Sequence, residues 1–242
     1  MDRWGVDQWA LGRGDEALAV KQPSGRNAAV TLRTARGRSP AQQRWLRRQL
    51  NDPYVQAAQR EGWRSRAAFK LIELDERYHL IRKGGLVLDL GAAPGGWSQV
   101  ALRHGAARVV GIDLLPIEPI PGAMLVQGDI MDPAREQEML ALLGGKPDLV
   151  LSDMAPNTTG HAATDHIRIM ALAELALEIA GPILAEGGGF VCKLFQGGAE
   201  RAMLERLRRS FRVVRHAKPP ASRKESSELY VVATGFRGLA GG

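Results

Sequence analysis

Between Leu86 and Thr234 the chain alternates short apolar runs with helical periods, and this alternation limits its fold more than any other feature. Leu86-Val-Leu-Asp-Leu is short, apolar and flanked by glycines, as a strand buried on both faces should be. Further strands are predicted over 108–113, 123–127, 148–153, 188–194, 211–216 and 228–234. Helices are predicted over 95–103, 133–143, 165–184 and 199–209, the third with Leu172, Leu175, Ile179 and Ile183 on one face. Such an order folds as a doubly wound α/β sheet. Between the sixth and seventh strands lies Lys218-Pro-Pro-Ala-Ser-Arg-Lys-Glu-Ser-Ser, which has no helical period. Parallel neighbours need a crossover, usually a helix. The seventh strand is therefore expected to run antiparallel to the rest.

A parallel sheet that ends in one reversed strand resembles the Rossmann-like fold of S-adenosylmethionine-dependent methyltransferases, not the all-parallel dinucleotide fold. Ahead of the sheet, Ser65 is predicted to cap a helix that carries Leu71, Leu74 and Tyr78 on one face. A basic helix is predicted over 41–50. Residues 1–38 mix Gly, Ser, Arg and Ala without an apolar period and read as a disordered basic arm. The domain proper is placed at 39–237, with a short tail over 238–242.

Charge is unevenly distributed. Residues 1–70 hold 14 Lys/Arg against 6 Asp/Glu, residues 71–200 hold 9 against 17, and residues 201–242 hold 10 against 3. An acidic middle between two basic ends suits a polyanionic partner, the simpler reading being solvated faces and a tail. No apolar run nears the ~20 residues of a membrane span, and Met1–Asp7 has no leader character, so a cytoplasmic protein is expected. The single cysteine, Cys192, cannot form an internal disulfide or a multi-cysteine metal site.

Ligands of open α/β sheets bind beyond the carboxyl ends of the strands. The first strand leads into Asp89-Leu-Gly-Ala-Ala-Pro-Gly-Gly-Trp-Ser, a glycine turn with Trp97 at the start of the next helix. It is not the G-x-G-x-x-G of dinucleotide binders. Asp113 ends the second strand, where a carboxylate can accept the ribose hydroxyls of a nucleoside. Asp129 closes the third strand, placed to meet an adenine amino group. Asp153 follows the fourth strand and Lys193 closes the fifth. Glu228 opens the seventh strand, whose reversal brings its beginning to the same edge. Asp153, Lys193 and Glu228 should therefore converge. Nothing in the pattern alone singles out Lys70.

The strings Ser65-Arg-Ala-Ala-Phe-Lys-Leu, Leu88-Asp-Leu-Gly-Ala-Ala-Pro-Gly-Gly-Trp-Ser-Gln, Asp113-Leu-Leu-Pro, Gln127-Gly-Asp, Ser152-Asp-Met-Ala-Pro-Asn, Phe190-Val-Cys-Lys-Leu-Phe-Gln-Gly and Ser227-Glu-Leu-Tyr-Val-Val-Ala-Thr-Gly together resemble, in order, the FtsJ/RrmJ family of RNA 2′-O-ribose methyltransferases. The resemblance runs from about Arg44 to Arg237 and is nearest to the bacterial members that act on large-subunit ribosomal RNA. It implies a Lys-Asp-Lys-Glu tetrad at Lys70, Asp153, Lys193 and Glu228. It implies S-adenosylmethionine as cofactor, held by Gly95, Trp97, Asp113, Asp129 and Asp153, and a uridine ribose as substrate. It also implies a monomer whose partner is ribosomal RNA within the large subunit, with no membrane and no metal. The arm at 1–38 looks longer than the family pattern requires.

A 2′-hydroxyl is a weak nucleophile that must be aimed at the methyl group and must lose its proton. The resemblance makes Lys193 the base, a role that requires its pKa to fall. Asp153 would orient that amine, Lys70 would hold ribose or phosphate, and Glu228 would position the hydroxyl or the lysines. Arg44, Arg47, Arg48, Arg64 and Arg66 before the sheet, with Arg208, Arg209, Arg212, Arg215, Arg223 and Lys224 after it, would form a positive rim. The alternative is an RNA-binding protein of the same fold with another RNA or without catalysis; the complete tetrad speaks against the second. A base N-methyltransferase lacks its Asn/Asp-Pro-Pro-aromatic string here. A C5-methyltransferase would need Cys192, which strand alternation turns away from the face of Lys193.

Overall fold

The computed structural model describes Ser39, Gln43 and residues 50–156, 159–195 and 201–238. The predicted arm at 1–38, most of the predicted helix at 41–50 and the tail from 239 lie outside the described residues. The chain divides into two compact units, Met1–Trp63 and Arg64–Gly242. In the first, α1 (Pro53–Glu61) opens on Asp52, whose side chain accepts the Tyr54 N–H at 3.0 Å, and closes at Gly62 with φ 72°.

The second unit begins with α2 (Ala67–Tyr78) and continues β1 (Leu86–Leu90), α3 (Gly96–Arg103), β2 (Arg108–Asp113), β3 (Ala123–Gln127) and α4 (Pro133–Leu143). β4 (Leu149–Ser152), α5 (Ala162–Ile183), β5 (Gly189–Phe195), α6 (Arg201–Ser210), β6 (Phe211–Ala217) and β7 (Glu228–Phe236) complete it. The seven strands form one sheet in the order β3-β2-β1-β4-β5-β7-β6. β1 through β5 pair in parallel, and β7 runs antiparallel to both β5 and β6. The expected reversal of the seventh strand is thus present, and the sheet is the Rossmann-like methyltransferase sheet.

Strand alternation sorts the sheet into two layers. Leu88, Leu90, Phe190, Cys192 and Leu194 face a core shared with α4, α5 and α6, where Met139, Leu177 and Leu207 are buried. Asp89, Lys193 and Tyr230 therefore point to the opposite face. There Ser98 of α3 bonds Asp89 and Lys70 of α2 bonds Tyr230. Cys192 is fully buried in the first layer, where burial raises its thiol pKa, so it is no nucleophile for a site on the second.

Two local predictions need correction. Ser65 does not cap α2: the capping residue is Arg66, and Ser65 Oγ packs against the α3 start instead, 2.7 Å from where a Cβ on Gly96 would lie. On α5 the core face is Ile169, Ala173, Ala176, Leu177, Ala180 and Ile183, while Leu172, Leu175 and Ile179 are half-buried at its margin. Ala173, Ala176 and Ala180 allow the helix to lie close to β5, so the contact runs through small residues as well as through Ile169, Leu177 and the expected Ile183. No helix among the described residues is long and apolar enough to cross a membrane.

Candidate active site

The glycine turn after β1 is held from two sides. Gly91 (φ 74°) and Gly95 (φ 105°) take left-handed backbone that only glycine adopts without strain. A Cβ on Gly91 would lie 2.4 Å from Met154 Cγ, so the turn lies flush against the segment after β4. Asp113 accepts the Ala93 N–H on Oδ2 and the Leu115 N–H on Oδ1, both at 2.9 Å. Its backbone carbonyl takes the Gly128 N–H at 2.9 Å, which joins the ends of β2 and β3. Asp129 is exposed and accepts the Met131 N–H at 2.9 Å. Each of these carboxylates keeps lone pairs for a ligand.

Gly95 caps α3, and the N–H groups of Gly96 and Trp97 in the first turn have no intrahelical acceptor. Trp97 does not offer its ring to the cleft. The side chain is 3% exposed, its Nε1 donates to the Ala67 carbonyl at 2.8 Å, and its ring rests 5.7 Å from that of Tyr230. What it can give a ligand is its backbone N–H. Beneath the turn, Asp89 is buried and accepts the Ser98 hydroxyl at 2.7 Å. Burial pushes its pKa up to about 7, with Asp153 and Asp113 adding to the rise against the Ser98 bonds.

The four tetrad positions meet in one buried cluster. Lys193 Nζ lies 2.6 Å from Asp153 Oδ1, donates to the Asp153 carbonyl at 2.9 Å, and sits 3.7 Å from Glu228 Oε2. Lys70 Nζ lies 2.9 Å from both Glu228 oxygens and 3.8 Å from Asp153 Oδ2. The side chains are only 7–17% exposed. Two ammonium groups and two carboxylates thus compensate one another out of water, which keeps a buried cluster of this kind tolerable. Asp153, Lys193 and Glu228 converge because β7 is reversed, and Lys70 joins them from α2.

Burial pushes the Asp153 carboxyl up, but the charges of Lys193 and Lys70 and the bonds from Lys193 and Tyr230 hold it below the usual carboxylate range. Burial lowers the Lys193 pKa, yet Asp153 and then Glu228 outweigh it, and the net shift is upward. The fall expected of a lysine base is therefore not met: the second ammonium is outnumbered by two carboxylates.

Sequence reasoning missed Tyr230 and Ser222, and it placed Arg64 on the rim. Tyr230 is fully buried, donates to Asp153 Oδ1 at 2.6 Å and accepts from Lys70 at 3.0 Å. Burial, then Asp153 and Glu228, raise its pKa well above the ordinary value, so it stays a neutral phenol. It was legible: it stands two residues after Glu228, on the same strand face. Ser222 Oγ donates to Glu228 Oε1 at 2.8 Å from the β6–β7 linker, where no pattern marks it. Of the expected rim, Arg44, Arg47 and Arg48 lie outside the described residues; Arg208, Arg209, Arg212, Arg215 and Lys224 are exposed. Arg66 instead donates to the Ala221 carbonyl at 2.5 Å, and Arg64 bonds three backbone carbonyls.

Five strands paired in parallel, a reversed β7 between β5 and β6, and a glycine turn and an acid at the ends of β1 and β2 define a Rossmann-like methyltransferase fold. The FtsJ-like methyltransferase family model matches residues 63–236, and the chain belongs to that family. Curated relatives carry the name ribosomal RNA large subunit methyltransferase E, among them the following two. The protein from Gluconobacter oxydans (strain 621H) is 64% identical over 227 residues, 93% of this chain and 85% of its own length. The protein from Granulibacter bethesdensis is 66% identical over 219 residues, 90% of this chain and 95% of its own. Among solved structures, a ribosomal RNA methyltransferase from Plasmodium falciparum superposes with a TM-score of 0.66 at 30% identity, covering 73% of this chain and 100% of that one.

Proposed function

We propose that this chain transfers a methyl group from S-adenosylmethionine to the 2′-hydroxyl of a uridine ribose in large-subunit ribosomal RNA. The observation that carries the reading is the meeting of Lys70, Asp153, Lys193 and Glu228 at the strand edge that also bears the glycine turn. The names of the relatives support the RNA class. The residues fit the donor: Asp113 suits ribose hydroxyls, Asp129 an adenine amino group, and the N–H groups at the start of α3 a carboxylate. S-adenosylmethionine supplies, when bound, an electrophilic methyl group on a sulfonium.

The residues of the chain then do the positioning. Lys70 holds the ribose or its phosphate. Lys193, as an ammonium, donates to the 2′-oxygen and aims its lone pair, a role consistent with its raised pKa. An oxygen that has accepted a methyl group is a strong acid, so the nearby carboxylate of Asp153 suffices to take its proton. Glu228, steadied by Ser222, keeps both lysines in place. Holding two reactants in line can supply roughly 7–11 kcal/mol of the barrier. The exposed arginines of α6 and β6 meet RNA phosphates without reading sequence. The protein acts as a cytoplasmic monomer on the large subunit.

The test is tritiated S-adenosylmethionine with purified ribosomal subunits, comparing wild type with Lys193→Ala and locating label by nuclease digestion. Label in 2′-O-methyluridine of large-subunit RNA, lost in the variant, is expected. Label on a base, or donor binding without transfer to either subunit, overturns the reading.

A further inference from the structure

Arg64 stands one residue before Ser65 at the entry to α2, and nothing in its sequence setting separates it from the other arginines of the basic end. Its surroundings do. The Arg64 N–H donates to Gln99 Oε1 of α3 at 2.8 Å. Its guanidinium donates through Nη1 to the Pro94 carbonyl at 3.1 Å and the Glu118 carbonyl at 2.5 Å, and through Nη2 to the Pro119 carbonyl at 2.7 Å. One side chain thus binds the glycine turn after β1 to the segment after β2. The two are in close contact at this point: a Cβ on Gly95 would lie 2.7 Å from Ile120 Cδ1 and 3.2 Å from Arg64 Nη1.

These bonds close a ring. The turn reaches Asp113 through the Ala93 N–H, the chain runs from Asp113 to Pro119, and Arg64 returns it to Pro94. Every group assigned above to the donor's ribose and carboxylate lies on or beside that ring. Three acceptors from two segments suit a planar fork with five donors, and a compact ammonium cannot reproduce that geometry. A guanidinium spent on three carbonyls is also a poor contact for phosphate.

We infer that Arg64 is a positioning residue of the methyl-donor pocket, clamping residues 94–95 to residues 118–120, and not part of the RNA-binding rim. The inference rests on the donor site proposed above. Its test measures S-adenosylhomocysteine binding by calorimetry for wild type, Arg64→Lys, Arg64→Ala and the exposed control Arg215→Gln. Thermal melting of each confirms folding, and the salt dependence of ribosomal RNA binding is read in parallel. Arg64→Lys keeps the charge and loses the fork, so it separates the two roles.

If Arg64 is a clamp, both of its variants bind S-adenosylhomocysteine roughly 10- to 100-fold more weakly, as loss of charge-assisted bonds implies. KM for the donor rises more than kcat falls, lysine does not rescue, and the RNA salt slope matches wild type. Arg215→Gln shows the reverse: a shallower salt slope and unchanged ligand affinity. Arg64→Lys with wild-type ligand affinity overturns the clamp, as does an Arg64→Ala variant that changes only the salt slope. Wild type that does not bind S-adenosylhomocysteine overturns the donor site itself, a different failure.

Discussion

Asp153→Asn removes one charge from the centre of the cluster with almost no change of shape. In the folded protein Asp153 Oδ1 lies 2.6 Å from both Lys193 Nζ and Tyr230 Oη, and Lys70 stands 3.8 Å from Oδ2. Hydrogen bonds to a charged group contribute about 1.5–3 kcal/mol each, and breaking a buried ion pair costs about 3–5 kcal/mol. Two features reduce the loss. The amide oxygen still accepts, and Glu228 still faces Lys70 at 2.9 Å and Lys193 at 3.7 Å. The expected destabilisation is therefore about 2–4 kcal/mol at pH 7, read as a drop in the urea midpoint without a change of slope. Its pH dependence follows from linkage. The folded pKa of Asp153 is depressed below 3.8, so its stabilisation is complete above that value and lost as pH falls through the folded pKa. The gap between wild type and variant should stay constant from pH 7 down to about 4 and then close. A variant as stable as wild type at pH 7, or a gap unchanged in acid, would refute the reasoning.

Three further outcomes are expected. Tyr230→Phe keeps the ring against Trp97 but deletes the hydroxyl between Lys70 and Asp153; it should cost about 1.5–3 kcal/mol by denaturation and slow methyl transfer. Gly91→Ala puts a β-carbon on φ 74° backbone and 2.4 Å from Met154 Cγ, so a loss of at least about 1–2 kcal/mol should accompany weakened S-adenosylhomocysteine binding in calorimetry. Single-turnover rates should be flat from about pH 7 to 9 if Lys193 acts as an ammonium; a tenfold rise per pH unit would show that the neutral amine is required.

Most strands were legible almost to the residue because they are short apolar runs next to turn formers, and β1, β2, β3 and α4 match their predicted bounds. The convergence of Asp153, Lys193 and Glu228 was legible because strand direction alone decides it. Lys70 was not, since a lysine on a mixed helix has no signature; only the family resemblance marked it. Charge state was not legible either. Whether Lys193 is driven up or down depends on how many carboxylates lie within about 4 Å, and that count exists only in three dimensions. Arg64 and Arg66 show the same limit: sequence gives the charge of an arginine but not whether carbonyls have already taken its donors.

The linker that reveals the fold also builds the site. Were β7 parallel to β5, its beginning would lie at the far edge of the sheet and Glu228 and Tyr230 with it. Without a helix between β6 and β7 the strand must turn back, and its first residues land beside Lys193, with Tyr230 directly opposite it in register. The linker does not merely return the chain. It docks on α2, where Glu73 accepts the Ala221 N–H at 2.7 Å and Arg66 donates to the Ala221 carbonyl. That leaves Ser222 fixed one residue further on, with its hydroxyl on Glu228. The helix that supplies Lys70 is thereby tied to the strand that supplies its carboxylate partner. A charged pair drawn from residues so far apart in sequence gains its geometry from these few bonds, which makes the irregular segment as much a part of the site as the strands it joins.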